Sequence, residues 1–354
     1  MKKILHVIPT LNYGGISSVI CNWHDVCHNK FYHFDYISFN DGPLRSKFES
    51  DASKIHILPT IRTNPIAYFR LLITIIKKGQ YDGVHVHNSF KNGAVLFLAR
   101  LFGVKIRVCH SHTSGLEDRS LKKYISFLKW FAITNANVRL ACGKTAGEFL
   151  YNDLSFKVIN NTIDVERMFR INPNRSAILK KFKIPEGRVL IGHVGRFSEV
   201  KNHNHLIELA KVLDHNYHFV LVGSGPKKDT LIQKVNLLGV AHMFTFVDPT
   251  TEIPNLLSVF DIFALPSFFE GVSLALLEAQ AASLPCVVSQ HVPVENDVSL
   301  GLVKFLPLTD LNVWVRNIVC AKKVAINKEQ VTYSFDLAGY TNMSLIKNIE
   351  SIYG

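Results

Sequence analysis

Asp261-Ile-Phe-Ala-Leu-Pro266-Ser-Phe-Phe-Glu270-Gly-Val-Ser-Leu-Ala-Leu-Leu-Glu278-Ala-Gln-Ala-Ala282 decides how this 354-residue chain reads. Asp261 to Leu265 is a short apolar run that stops at a proline, as a buried strand does. Leu274 to Ala282 is rich in helix formers. Glu270 therefore sits in the loop at the strand's C-terminal edge, and Glu278 lies about two turns into the next helix. In open parallel α/β sheets that edge is where ligands bind. The amides of Gly271, Val272 and Ser273 would face an anion at the helix N-terminus. A carboxylate beside such an anion hole suits a ligand carrying both phosphate and hydroxyls, as a nucleotide sugar does. The plainer alternative is an amphipathic helix with two solvated acids.

A second element lies upstream. Val189-Leu-Ile-Gly192-His-Val-Gly195-Arg196-Phe-Ser-Glu-Val-Lys201-Asn202 is an apolar strand, a glycine-bearing turn and two cations five residues apart. Gly195 lets backbone approach closely, Arg196 offers a planar fork and Lys201 a mobile point charge. Both cations suit a diphosphate whose charge grows as a glycosyl bond breaks. Phe219-Val-Leu-Val222-Gly223-Ser-Gly225-Pro226 is another strand running into a glycine turn, and Leu284 to Ser289 a further buried strand.

Together these stretches resemble the retaining glycosyltransferases of family 4, also called group 1. The Glu270/Glu278 pair matches that family's glutamate-seven-residue-glutamate motif, and Gly195-Arg196…Lys201-Asn202 its Gly-Arg…Lys-Asn element. The resemblance implies an α/β GT-B fold: two Rossmann-like domains with a cleft between them, and a C-terminal helix crossing back to the N-terminal domain. It implies that Arg196 and Lys201 grip the donor diphosphate, Glu270 contacts the donor sugar and Glu278 holds the ribose. Gly14-Gly15, after the first strand Lys3-Ile-Leu-His-Val-Ile8, would approach the donor phosphates. His110-Ser111-His112 resembles the family's His-Ser-His position; His112 is preferred to His110 because the chain has left its strand by then. Two departures stand out: Thr162 and Asp248 occupy positions where the family usually has glycine, and the second bears on which base is recognised.

Organisation follows the same lines. The expected domains are an acceptor-binding N-terminal one at 1–170, a linker at 171–187 marked by Asn172-Pro173 and Ile184-Pro185, a nucleotide-sugar domain at 188–334 and a helical tail at 335–354. His85 and His87 alternate onto one strand face, which makes a metal pair conceivable. No carboxylate or cysteine partner is evident and Asp-x-Asp is absent, so the expectation is no metal and no cofactor.

Charge is unevenly placed. Residues 1–180 carry 25 Lys and Arg against 12 Asp and Glu, a net +13, whereas 181–354 carry 15 against 16, a net −1. A basic N-terminal half faces something anionic. Arg119 to Phe131 mixes Lys and Arg with Leu, Tyr, Phe and Trp, which suits either an anionic membrane surface or the core face of a sheet-covering helix. No nucleic-acid module accompanies the charge, so nucleic acid is not an expected partner. Six cysteines without a CxxC pair fit reduced thiols, and no apolar run approaches the roughly 20 residues that span a bilayer. The start of the chain, Met1 to Pro9, reads as a first strand rather than a signal peptide, because His6 and Pro9 interrupt it.

The resemblance therefore implies a metal-independent, retaining hexosyltransferase. It would move a sugar, with UDP the expected carrier, to a glycan or polyprenyl-diphosphate-linked acceptor in capsule, exopolysaccharide or O-antigen biosynthesis. The expected location is cytoplasmic, peripheral on the inner face of the plasma membrane. The alternatives are a nucleotide-sugar epimerase on the same frame, or a non-catalytic sugar-nucleotide-binding subunit.

Overall fold

The computed structural model describes residues 1–87, 89–113, 115, 122–170 and 174–354. Arg119 and the Asn172-Pro173 pair lie outside them. The chain divides into two compact units, Met1–Thr162 with Asn342–Gly354, and Ile163–Thr341.

The first unit holds a seven-stranded sheet of β1 (Lys2–Val7), β2 (Tyr32–Ser38), β3 (Ile55–Ile57), β4 (Gly83–Val86), β5 (Ile106–Ser111), β6 (Val138–Ala141) and β7 (Lys157–Val158). The order is β3-β2-β1-β4-β5-β6-β7, and every pairing is parallel. The second unit holds β8 (Val189–Val194), β9 (Tyr217–Val222), β10 (Phe244–Val247), β11 (Ile262–Leu265), β12 (Cys286–Ser289) and β13 (Val303–Leu306), ordered β10-β9-β8-β11-β12-β13 and again all parallel. Both sheets reverse direction beside their first strand, as doubly wound sheets do, and such a switch point opens a crevice at the strands' C-terminal ends. In the first unit it falls between β1 and β4, in the second between β8 and β11.

Alternation along β9 shows why the strands are apolar throughout. Phe219 and Leu221 pack into one core with Leu206, Leu209 and Trp314, while Val220 and Val222 pack into another with Phe260, Leu265 and Leu276. A sheet covered on both faces needs apolar residues at both parities. β2 is less obvious in the sequence because Asp35 interrupts it. The carboxylate is fully buried and is met by Lys3 at 3.0 Å, by the Tyr81 hydroxyl at 2.9 Å and by the Lys54 amide at 2.8 Å.

The tail differs from a single helix over 335–354. Helix Lys328–Leu337 packs Val331 and Phe335 into the second unit beside Tyr340, and the chain then turns at Gly339, whose φ of 75° is costly for any other residue. Only helix Asn342–Tyr353 belongs to the first unit, where Lys2 Nζ donates to the Tyr353 carbonyl at 2.7 Å. Nor is 174–187 a free linker. Leu179 and Ile184 are buried in the second unit's core, and Arg175 Nη1 donates to the Val259 carbonyl at 2.6 Å.

Candidate functional site

The second unit's switch point gathers the loops that leave β8 and β11. The Phe268 amide donates to the Val200 carbonyl at 2.8 Å, which ties the two loops together. Across that tie Lys201 Nζ meets Glu270 Oε1 at 2.6 Å, with the side chains 19% and 9% exposed. The Ser267 hydroxyl donates to the same carboxylate oxygen at 2.6 Å. A buried pair of this kind is held in place because removing one partner strands the other charge, at about 3–5 kcal/mol. Arg196 is exposed and, among the described residues, has no ion-pair partner. The turn that carries it packs closely on β9: a Cβ on Gly223 would come within 2.0 Å of the Gly195 carbonyl oxygen, and Gly223 has φ 147°.

Helix Leu274–Ala281 follows the β11 loop, capped by Ser273, whose side chain accepts from the Leu276 amide. The expectation that three amides here face an anion needs a correction. The Ser273 amide donates to Asn296 Oδ1 at 2.6 Å and is already engaged. The Gly271 and Val272 amides have no hydrogen-bond partner among the described residues, and a Cβ on Gly271 would meet nothing within 4 Å. Asn296 and Gln280 escaped the sequence reading. Asn296 Nδ2 donates to the Gly271 carbonyl at 2.9 Å, Gln280 Nε2 donates to the Asn296 carbonyl at 2.7 Å, and the Val298 amide donates to Gln280 Oε1 at 3.0 Å. Both side chains are fully buried, and the network fixes the loop's shape. Glu278 is partly buried, and burial pushes its carboxyl up to about 7 against the opposing pull of Arg167.

In the first unit, Gly14 and Gly15 stand exposed at the start of helix Gly15–Cys27, and a Cβ on either would meet nothing within 4 Å. The fold itself does not demand glycine there. His112 follows β5 directly and is half-buried, whereas His110 is fully buried. His112 Nε2 lies 3.1 Å from His87 Nδ1. Burial lowers the His112 imidazole to about 4, so the ring is neutral at physiological pH. A further concavity of about 690 Å³ opens at the opposite, N-terminal edge of the second sheet, lined by Arg175, Arg188, Asp261 and Lys323. Arg175 already pairs with Asp261 at 3.3 Å, and none of the predicted site residues reaches it.

Two doubly wound units of this strand order make a GT-B fold, the frame of one large class of sugar transferases. Residues 174–299 match the model of glycosyl transferases group 1, and residues 13–167 that of glycosyltransferase family 4. EpsF of Bacillus subtilis (strain 168), which carries a glycosyltransferase name, is 32% identical over 90% of this chain and 88% of its own length. The chain belongs to the family 4 (group 1) glycosyltransferases. The UDP-Gal:alpha-D-GlcNAc-diphosphoundecaprenol alpha-1,3-galactosyltransferase of Escherichia coli is 29% identical over 90% of this chain and 87% of its own. Among solved structures, Anabaena Alr3699/HepE in complex with UDP and glucose aligns over 99% of both chains with a TM-score of 0.79 at 17% identity.

Proposed function

We propose that this glycosyltransferase is a retaining enzyme that moves a sugar from UDP to a polyprenyl-diphosphate-linked glycan during surface polysaccharide assembly. The observation that carries the donor half is the cluster at the β8/β11 switch point: Lys201 paired to Glu270, Arg196 exposed beside it, and the Gly271 and Val272 amides directed from a helix start. The name of the Escherichia relative supports the carrier and the acceptor class.

In this reading the donor diphosphate lies against Arg196, Lys201 and the two amides. Lys201 then shares its ammonium between Glu270 and phosphate. Glu278 holds the ribose, and Glu270 a sugar hydroxyl. As the anomeric C–O bond breaks, the electron pair stays with the diphosphate, and the cations stabilise that growing charge. The acceptor hydroxyl attacks from the face the diphosphate is leaving, gives its proton to a phosphate oxygen and preserves the anomeric configuration. His112, neutral and half-buried, orients sugar or acceptor. Because side chains meet the diphosphate charge, added Mg²⁺ should leave kcat unchanged in a steady-state assay.

The basic first unit would rest on an anionic inner-leaflet surface. Helix Ile125–Asn135 supports this because one of its faces packs into the core and another carries exposed aromatics. Ile125, Leu128 and Ala132 pack inward, while Tyr124, Phe127 and Trp130 are 63%, 60% and 58% exposed beside Lys122 and Lys123. Among the described residues no helix is long and apolar enough to cross a membrane. The test is incubation with UDP-sugars with and without a polyprenyl-diphosphate glycan, following UDP release and the product's anomeric signal by NMR. Release that needs acceptor, with a retained anomer, bears the reading out. Sugar isomerisation without acceptor points to an epimerase, binding without turnover to a non-catalytic subunit, and either outcome ends it.

A further inference from the structure

Five histidines of the first unit form two hydrogen-bonded strings. In one, His6 Nδ1 lies 2.9 Å from His87 Nε2, and His87 Nδ1 lies 3.1 Å from His112 Nε2. In the other, the Tyr353 hydroxyl meets His85 Nδ1, and His85 Nε2 lies 3.1 Å from His110 Nδ1. The strings converge at one point. Donor nitrogens of His87, His110 and His112 all lie within 4.8 Å of one another. His110 Nε2 is buried and, among the described residues, has no hydrogen-bond partner.

We propose that His87 Nδ1, His110 Nε2 and His112 Nε2 form a three-imidazole site for a divalent d-block cation of the zinc class. Proton accounting favours it. Each ligating nitrogen must be bare, so the other nitrogen of the same ring carries the hydrogen. His87 Nε2 then donates to His6 Nδ1, His110 Nδ1 donates to His85 Nε2, and His85 Nδ1 donates to the Tyr353 hydroxyl. Every one of those contacts already stands in the structure, forming the outer layer that orients imidazole ligands. With a proton alone between His87 and His112, the His110 nitrogen stays unsatisfied. A cation satisfies all three.

Geometry and chemistry agree on its class. Tetrahedral zinc holds its nitrogens about 3.3 Å apart; His87 Nδ1 and His112 Nε2 are 3.1 Å apart, and the ligand atoms of all three residues lie within 4.8 Å of one another. The group contains imidazoles and no carboxylate or thiolate, which selects zinc, cobalt, nickel or copper over magnesium or calcium. The ligands sit at the C-terminal ends of the adjacent parallel strands β4 and β5, so the frame is rigid. His112, the least buried of the three, provides the way in from solvent, and three protein ligands leave a fourth position open. The bound ion would clamp the two strand ends and fix the His112 ring.

The test uses full-length, tag-free protein stripped with a chelator and titrated with Zn²⁺ and with Co²⁺. Wild type is expected to bind one ion per chain, to show the intense visible bands of four-coordinate cobalt, and to lose them when Zn²⁺ is added. His87→Gln and His110→Gln should weaken Zn²⁺ binding at least about 100-fold while circular dichroism shows the fold kept. The wild-type cobalt spectrum reads the coordination even if a variant misfolds. His215 and His242 on the second unit, 3.2 Å apart and exposed, serve as the control pair, and His215→Ala/His242→Ala should leave affinity unchanged. Absence of stoichiometric binding by wild type, octahedral cobalt bands, or binding that follows His215 and His242 overturns the site. No donor or acceptor enters the experiment, so its failure leaves the transfer reading where it stood.

Discussion

The two units solve one problem in opposite ways. Each brings polar side chains to the C-terminal edge of a doubly wound sheet, where backbone dipoles and loops make a ligand crevice. The second unit places acidic and basic side chains there: Lys201 and Glu270 pair at 2.6 Å, and Arg196 lies exposed to solvent. The first unit buries neutral rings instead, with His6, His85, His87 and His110 almost fully excluded from water. Charge at the edge suits a diphosphate whose charge changes during reaction. Neutral donors suit a ligand that must be oriented rather than neutralised.

The sharpest way to break this contrast is to remove the charge. Lys201→Ala should lower kcat about 10²–10³-fold, the scale of losing one preorganised donor to a developing anion. It also strands Glu270 beside Ser267, so the variant should lose some stability as well. Glu270→Gln, which keeps the shape and frees Lys201, separates the effects. If steady-state kinetics with Lys201→Ala match wild type, the second unit's edge is not where charge develops.

Next in size is the buried network that shapes the loop. Asn296→Ala removes the acceptor of the Ser273 amide and the donor to the Gly271 carbonyl. A loss of about 2–4 kcal/mol in unfolding free energy is expected from those two buried groups. Donor KM should rise, because Gly271 and Val272 are no longer held. Denaturant titration beside kinetics checks both; a change in stability with no change in KM would detach the loop from donor binding.

Glu278 lies between the two regimes, a carboxyl that burial holds near neutrality. It keeps its proton up to about pH 7 in the folded chain, against an ordinary value of 4.5. Between those values the folded state binds more protons than the unfolded state, so this group's contribution to stability falls as pH rises through the window. The effect is at most about 3 kcal/mol. Glu278→Gln should flatten that pH dependence and stabilise the free protein at pH 8. Two ribose hydroxyls donate best to the ionised form, so wild-type donor KM should fall as pH rises past 7. In the Gln variant KM should be about tenfold higher and flat with pH. An unchanged pH profile would move the ribose contact elsewhere.

Much of the second unit was legible because its signals are local. The apolar runs of β8, β9, β11 and β12, the glycine turns at 195 and 223, and the Glu270–Glu278 spacing each lie within one strand–loop–helix step. Asn296 and Gln280 were not legible, since an amide 16 residues from its partner looks like any polar loop residue. β2 was hidden by Asp35, whose burial depends on Lys3 and Tyr81 arriving from other elements. The histidines show the limit most clearly. The pair at 85 and 87 could be placed on one face by alternation, but their convergence with His6, His110 and His112 needs the β1-β4-β5 neighbourhood, which is a property of topology.

The smallest expected effect concerns the outer face of the first unit. Tyr124, Phe127 and Trp130 project from a helix whose opposite face is already used in the core, so the fold does not need them. Replacing Phe127 and Trp130 with Ser should therefore leave stability and transfer to a water-soluble acceptor almost unchanged. Binding to vesicles containing anionic lipid should drop several-fold, from lost apolar burial alone. Lys122→Ala/Lys123→Ala should act differently, costing about 1 kcal/mol per charge at low salt and much less at high salt. A sedimentation assay comparing anionic with neutral vesicles at two ionic strengths separates the two contributions. If neither double variant changes vesicle binding, the exposed aromatics answer to some other surface, and the basic half of the chain acts on its acceptor without a membrane.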